Sequence, residues 1–332
     1  MPFSRPRYIQ LYPTTRCNQG CSFCFNTSSE QVSDMTYEAA LRLLEILSWH
    51  GIDDLDIMGG EPFLLEWMTD FMAAAARRGM KVNISTNGSR PEIMRRLAGM
   101  NPVGVNIGVS LDGSTAEAHN VLTCSRHFGL ALKSIQTLVS LGLDPIVKTV
   151  LNRTTLRDIE NIVTLIGDLG VRRYYLIHMD VMAKDPSLLN ESMSYTDFVA
   201  HCEKIGKASP HVGVFRVNAS CFAKENLPPG ARCAGGVLKL SVMPDGSAYP
   251  CNLFHQNREF HLGNIFEEGI TAIWRHTRLS FFRTFSGNKC GLDDCRNRDA
   301  CTGGCPAHGY LHYSDPDASD IRCGAPLVDF AF

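Results

Sequence analysis

An α/β fold, a partial (β/α)6 barrel with a cysteine-rich C-terminal extension, is what this sequence predicts, and three observations predict it. Short apolar runs alternate with longer amphipathic stretches over roughly the first 180 residues. The character of the chain changes after about Tyr195, where glycine, proline and cysteine become frequent. The last 45 residues hold five of the thirteen cysteines and little apolar periodicity.

The alternation sets the architecture. Strands are expected over residues 8–12, 55–58, 82–85, 105–111, 145–151 and 174–178. Between the first two lies "TYEAALRLLEILSWHG", a helix that Thr36 can cap and Gly51 can end. "SRPEIMRRLAGM" and "TTLRDIENIVTLIGDLG" read the same way, with Ser89 and Thr154 near their starts and Gly170 after the second. Strands alternating with helices imply βα units and a parallel sheet. Six such units curve into an open barrel, with chemistry on the loops at the strand C-termini. Beyond Tyr195, "SYTDFVAHCEKIGKA" predicts one further helix. "VLKLSVMPDGSAYPC" predicts a hairpin turning at Pro244-Asp245-Gly246, and "NIFEEGITAIWRHTRLSFF" one amphipathic helix. The expected organisation is a barrel domain over 1–195, a linking helix and bridging segment over 196–232, and a cysteine-rich domain over 233–332. The last is too poor in core to be held by packing alone, and metal ligation is the expected substitute.

Composition narrows the function. A net charge of −2 argues against a general nucleic-acid or anionic-membrane binder. No run of eighteen apolar residues predicts a membrane span, and the N-terminus lacks a secretory signal. Closely spaced cysteines without an export signal point to metal or cluster ligation in a reducing cytoplasm.

The densest set is in "LYPTTRCNQGCSFCFN", where Cys17, Cys21 and Cys24 are spaced C-x3-C-x2-C after the first expected strand. An iron–sulfur cube takes four thiolates, so three leave one iron open to a small molecule. The spacing alone also fits a zinc site with its fourth ligand elsewhere. Three further motifs stand at successive strand ends: "MGGEPFL", "ISTNG" and "VSLDG". With Phe23 before the last cysteine, the four motifs together resemble the radical S-adenosylmethionine (SAM) superfamily. The resemblance implies a [4Fe–4S] cluster on Cys17, Cys21 and Cys24 whose open iron SAM chelates. It places Gly59, Gly60, Glu61 and Pro62 at the methionyl amino group, with Glu61 supplying negative charge. It places Ser85, Asn87 and Ser110 at other polar groups of SAM. Relatives carry an arginine beyond "SLDG…HD" that helps hold SAM. Here Asn120 follows His119, and Arg126 is the late candidate for that role.

The C-terminal cysteines resemble the SPASM extension of the same superfamily. Cys233, Gly246 and Cys251 lead into Cys290, Cys295, Cys301 and Cys305, then Cys323. One spacing departs: four residues, not two, separate Cys290 from Cys295. The resemblance implies two auxiliary iron–sulfur clusters, one on Cys233, Cys251 and Cys305, the other on Cys290, Cys295, Cys301 and Cys323. Cys221 is open to three readings: the fourth ligand of the first auxiliary cluster, a thiol donating hydrogen to a substrate radical, or a small buried hydrophobe. Cys124 is expected to be structural and Cys202 to pack in the core.

The resemblance further implies reductive cleavage of SAM to methionine and a 5′-deoxyadenosyl radical, which takes hydrogen from an unactivated C–H. Electron loss to an auxiliary cluster, with a base taking the proton, gives oxidation or a new bond; hydrogen return from a thiol gives epimerisation. Asp112, His178 and Asp180 lie near expected strand ends and are the candidate bases, each also readable as a cap or a rim residue. SPASM relatives modify peptides or proteins, and others oxidise sugars or aminocyclitols. A peptide or protein substrate is the expectation, with radical oxidation or epimerisation of a small sugar or aminocyclitol as the alternative. A one-electron donor such as flavodoxin or ferredoxin is implied. The first expected strand begins within about ten residues, which weakens the peptide reading without excluding it, because a peptide-recognition domain can be a separate protein. A non-catalytic iron–sulfur electron carrier is the reading from outside enzymology, and the SAM motifs disfavour it.

Overall fold

The computed structural model describes residues 4–26, 33–100, 104–223, 227–287, 290 and 295–323. Seven strands run in parallel and in chain order: β1 (Tyr8–Leu11), β2 (Asp54–Ile57), β3 (Lys81–Thr86), β4 (Val105–Ser110), β5 (Ile146–Leu151), β6 (Arg173–His178) and β7 (Gly213–Val217). Three more, β8 (Lys239–Val242), β9 (Ser247–Tyr249) and β10 (Gly263–Asn264), extend the same sheet beyond β1. β7 and β10 are its two edges, so the sheet stays open as a partial barrel.

Helices cover the convex side of the parallel part: α1 (Tyr37–Trp49), α2 (Met68–Arg77), α3 (Pro91–Gly99), α4 (Ala116–Thr123), α5 (Phe128–Ser140), α6 (Arg153–Asp168), α7 (Pro186–Glu191) and α8 (Tyr195–Ala208). Thr36 caps α1 by accepting from the Ala39 N–H at 3.2 Å, and Gly51, just past its end, takes φ +62°. The cap of α6 is Asn152 rather than Thr154. Asn152 accepts from the Thr155 N–H at 2.8 Å while Thr155 Oγ1 accepts from the Asn152 N–H at 2.9 Å. Thr154 points instead to Glu191.

Period-two alternation divides the strands between two environments. Ile9, Leu11, Leu55, Ile57, Val82 and Ile84 face outward and are fully buried against Leu43, Leu44 and Leu47 of α1 and Phe71 of α2. Each such side chain contributes about 1.5–3 kcal/mol of burial. Many inward positions are polar, among them Gln10, Asp56, Asn83, Ser85, Asn106, Lys148 and Arg173, beside the apolar Ile146, Val150 and Ile177. Closed barrels fill this space with branched apolar residues. Here it is a cavity of about 1280 Å³ at the strand C-termini and down the barrel axis.

Three features differ from expectation. β7 adds a seventh parallel strand, pairing Arg173 with Gly213 and Ile177 with Val217. The expected hairpin forms as β8–β9, turning at Gly246 with φ +88°, but β8 also pairs in parallel with β1, Tyr8 opposite Lys239. The expected single helix around residues 264–282 is broken into β10, α9 (Gly269–Trp274), a 3₁₀ turn at Thr277–Leu279 and α10 (Ser280–Arg283). Gly269 sits at φ +76°, outside helical space, and separates α9 from what precedes it. A last helix, α11 (Pro306–Tyr313), starts at Cys305, where proline is tolerated in the first turn.

Candidate active site

The loop after β1 carries Cys17, Cys21 and Cys24 to the mouth of the cavity, which all three line. Backbone contacts clamp it from two sides. The Gly60 and Glu61 N–H groups donate to Thr14 and Arg16 carbonyls at 2.9 and 2.7 Å. On the other side the Gly20 and Ser22 N–H groups donate to Thr123 and Leu122, at the end of α4. Arg16 pairs with Asp34 at 2.6 Å and Thr14 Oγ1 donates to the same carboxylate. The double glycine makes the clamp possible. A Cβ on Gly60 would sit 1.8 Å from the Arg16 carbonyl oxygen, and one on Gly59 would sit 2.5 Å from that of Thr14. The close approach these glycines permit is therefore to the cysteine loop itself.

Glu61 corrects one expectation. Its side chain turns away from the cavity and is 1 % exposed. It accepts from the Phe63 N–H at 3.0 Å, Thr86 Oγ1 at 2.8 Å and the Asn87 N–H at 2.7 Å. Burial raises it to about 7 against those hydrogen bonds. It positions the β3 end rather than presenting charge to a ligand, and the buried Pro62 starts the turn that lets it do so. Asn87 does face the cavity, donating to Asn18 at 2.7 Å beside Cys17. Ser85 and Ser110 line it as well. Arg126 is exposed at the surface and is not among the residues that line the cavity. Lys148, one of several cations lining the cavity, was not singled out from the sequence; its Nζ donates to Ser85 Oγ at 2.6 Å.

Of the candidate bases, Asp112 fits the cavity best. It is 3 % exposed, lines the wall, and accepts from the Val150 N–H at 2.9 Å, and burial raises it to about 7. His178 is held by the Met193 carbonyl at 3.0 Å and stacked on Phe198. Burial and then Arg322 lower it to about 3, so it is neutral. Asp180 is committed to Arg322 at 2.9 Å. That arginine is fully buried. It also donates to the Met179 carbonyl and to Asp320, tying β6 to the C-terminal segment across more than 140 residues. His178 and Asp180 also line the cavity, but their partners tie them to the frame between barrel and extension.

The C-terminal thiols fall into two groups. Cys221, Cys233, Cys251 and Cys305 all line the cavity. Cys221 and Cys305 are hydrogen-bonded: that bond, with His308, pulls Cys305 well below the usual thiol range, while burial and the Cys305 charge push Cys221 up. Cys301 is raised by burial and by the charges of Cys295 and Cys290, and Cys323 by burial, Asp320, Cys301 and Cys290. Both sets fit cluster ligation, being free thiols gathered within electrostatic reach of one another. The longer Cys290–Cys295 spacing does not separate those two from Cys301. Cys305, His308 and Asp320 also bring donor atoms within 4.8 Å. There His308 accepts from the Val181 N–H and Asp320 is held by Arg322, so the trio is a satisfied network. Cys124 is an exposed left-handed cap of α4, outside the cavity lining, and Cys202 is core.

A parallel open barrel with three thiols on the loop after its first strand, a glycine-clamped second-strand turn and two further thiol sets defines an iron–sulfur enzyme that works with SAM. The chain belongs to the radical SAM superfamily, whose family model matches residues 11–176; the description "iron-sulfur cluster-binding domain", the SPASM type, matches residues 233–306. Its cofactors are SAM and iron–sulfur clusters. The mycofactocin maturase MftC of Mycobacterium ulcerans (strain Agy99) is 25% identical over 337 residues, covering 95% of this chain and 88% of that protein. The antilisterial bacteriocin subtilosin biosynthesis protein AlbA of Bacillus subtilis (strain 168) is 24% identical, covering 92% and 68%. Among solved structures, Streptococcus suis SuiB bound to S-adenosylmethionine shares the fold with a TM-score of 0.81 at 18% identity, covering 97% of this chain and 78% of that one. Among the described residues no helix is long and apolar enough to cross a membrane.

Proposed function

We propose that the protein is a peptide-modifying radical SAM enzyme, acting at an unactivated C–H of a peptide or protein side chain to give oxidation or a cross-link. The carrying observation is that the three-cysteine loop and the set Cys221, Cys233, Cys251 and Cys305 open onto one cavity, so a substrate there would face both thiol sets. The names of two relatives, a mycofactocin maturase and a bacteriocin biosynthesis protein, support the same reading.

Cys17, Cys21 and Cys24 would hold the SAM-binding cluster, which with SAM supplies the one-electron chemistry for hydrogen abstraction. Gly59 and Gly60 keep the cysteine loop in register, and Asn87, Ser85 and Ser110 offer polar groups to the cosubstrate. Asp112 receives the proton that leaves the substrate. Its buried carboxyl, near 7, is poised to ionise within the working range. Cys221, Cys233, Cys251 and Cys305 would hold one auxiliary cluster at the cavity wall, with Cys221 as the fourth ligand. Cys290, Cys295, Cys301 and Cys323 would hold the other behind it. A flavodoxin or ferredoxin would supply the electron, and a separate protein would present the peptide.

The test is 5′-deoxyadenosine formation under anaerobic conditions with SAM and dithionite, stimulated by host extract split by ultrafiltration. Stimulation by the peptide-sized fraction supports the reading. Stimulation by the small-metabolite fraction alone overturns it in favour of sugar or aminocyclitol oxidation or epimerisation.

A further inference from the structure

The open sheet ends in two different edges. β10 is two residues long; its Asn264 N–H is taken up by the Glu268 carboxylate at 3.2 Å, and a Cβ on Gly263 would lie 2.5 Å from both oxygens of that group. β7 has five residues, no proline and no lysine, and Arg216 is its single charge. Among the described residues it pairs with β6 alone. A row of unpaired backbone groups is a template for another strand, and folded proteins block such edges. One edge of this sheet is blunted and the other is left open beside the cavity.

The geometry of β7 gives its occupant a shape. The Gly213 N–H donates to the Arg172 carbonyl at 2.8 Å. Backbone groups alternate sides along a strand, so Gly213, Phe215 and Val217 bond toward β6, while Val214 and Arg216 turn N–H and C=O to the open side. Phe215 stands opposite Tyr175 and Val217 opposite Ile177, on the concave face. Tyr175 and Ile177 line the cavity, and the Tyr175 and Phe215 rings are 5.2 Å apart. Phe215 is 46 % and Val217 39 % exposed, so the edge carries an apolar strip at period two. It also runs into the cavity: Val217, Asn218, Ala219, Ser220 and Cys221 line it in unbroken chain order.

We propose that the open edge of β7 is the docking strand for the substrate peptide. The peptide lies extended beside Gly213–Val217, exchanges main-chain hydrogen bonds with Val214 and Arg216, and sets alternate apolar side chains against Phe215 and Val217. Past Asn218 it is led into the cavity. The inference rests on the peptide-modifying reading and deepens it. An extended peptide has both features this edge matches, main-chain partners at strand spacing and side chains at period two. A sugar or aminocyclitol has neither. Since the main chain supplies the bonds, the edge tolerates many sequences.

The experiment uses anaerobically reconstituted holoenzyme with S-adenosylhomocysteine and follows hydrogen exchange over residues 213–217 by mass spectrometry. The probe is a capped synthetic peptide of alternating valine and threonine with a lysine at each end, at millimolar concentration. Its control is the same peptide N-methylated throughout, which keeps the side chains and lacks main-chain donors. The unmodified peptide is expected to slow exchange at Val214 and Arg216 about tenfold or more, and the methylated one to leave it unchanged. A kinetic arm measures 5′-deoxyadenosine formation with the peptide-sized fraction of host extract, in variants matched for iron content and circular dichroism. Arg216→Pro, which removes an outward N–H that β6 does not use, should raise the half-saturating amount of that fraction about tenfold, and Arg216→Ala should not. Exchange unaltered by the unmodified peptide overturns the proposal. So does protection already present in the enzyme alone: independent of enzyme concentration, it makes another segment of this chain, such as residues 324–332, the occupant; rising with concentration, it makes a second copy the occupant. Stimulation by the small-metabolite fraction alone would instead overturn the peptide reading itself, whatever the exchange shows.

Discussion

The barrel and the C-terminal extension are stabilised by different means, although they share one sheet. From β1 to β6, alternating strands bury Ile, Leu and Val against amphipathic helices, and the thiol loop after β1 lies outside that core. From Cys233 onward the elements are short: two- to four-residue strands, isolated 3₁₀ turns, and helices of eight residues or fewer. What replaces a broad core there is a cluster of Phe254, Phe260 and Phe282, with ring centroids 3.9–6.3 Å apart, and the buried cations Arg232 and Arg322. Arg232 pairs with Asp317 at 2.5 Å and lies over the Phe281 ring. On the proposed reading, the thiols of the first region would hold a group that meets a reactant, and those of the second would also complete the scaffold.

Cysteine substitutions give the largest break in that comparison. Cys17→Ser is expected to abolish SAM cleavage while thermal unfolding of the barrel barely moves. Cys301→Ser is expected to lower the unfolding temperature and open the extension to proteolysis. Equal stability losses in the two variants would sink the distinction.

Asp112→Asn comes next. Asp112 has its folded pKa raised from 3.8 to about 7, so it is protonated below that pH and a base above it. Coupled substrate turnover should therefore rise with pH through about 7. The substitution should remove that limb and lower the rate by about 10²–10⁴-fold, read from a pH–rate profile. An unchanged limb would assign the proton to another group.

Arg322→Met tests the tie between the regions. It leaves Asp320 and Asp180 without their cation, and a loss of about 3–5 kcal/mol in denaturant unfolding is expected. Gly60→Ala is the mildest. Its Cβ would collide with the Arg16 carbonyl, so the cysteine loop must shift, at roughly 1–3 kcal/mol and with weaker iron retention after gel filtration. Full iron retention would show that the loop has slack.

Legibility followed the range of the interactions. The six strands and the capped helices were readable because their signals are local: apolar periodicity, Thr36, Gly51. The three-cysteine loop stood out because its thiols lie within eight residues. β7 was not, since "GVFRV" is a solvent-facing edge strand whose Phe215 and Val217 stay exposed, giving no core pattern. The direction of Glu61 depends on Thr86 and Asn87, 25 and 26 residues away. The seat of the Lys148 side chain depends on the absence of a side chain at Gly108 on the neighbouring strand. Arg322 looked like one charge among many until the fold placed it under β6.

The parallel pairing of β8 with β1 has a consequence for how the chain is made. Ser241 and Gln10, bonded across these strands, are 231 residues apart. At a synthesis rate of about 5–20 residues per second, the β8-facing edge of β1 waits tens of seconds for its partner to emerge from the ribosome. During that interval the edge presents unpaired backbone groups beside a nascent thiol loop, so a chain stopped before Lys239 would be prone to strand-mediated aggregation.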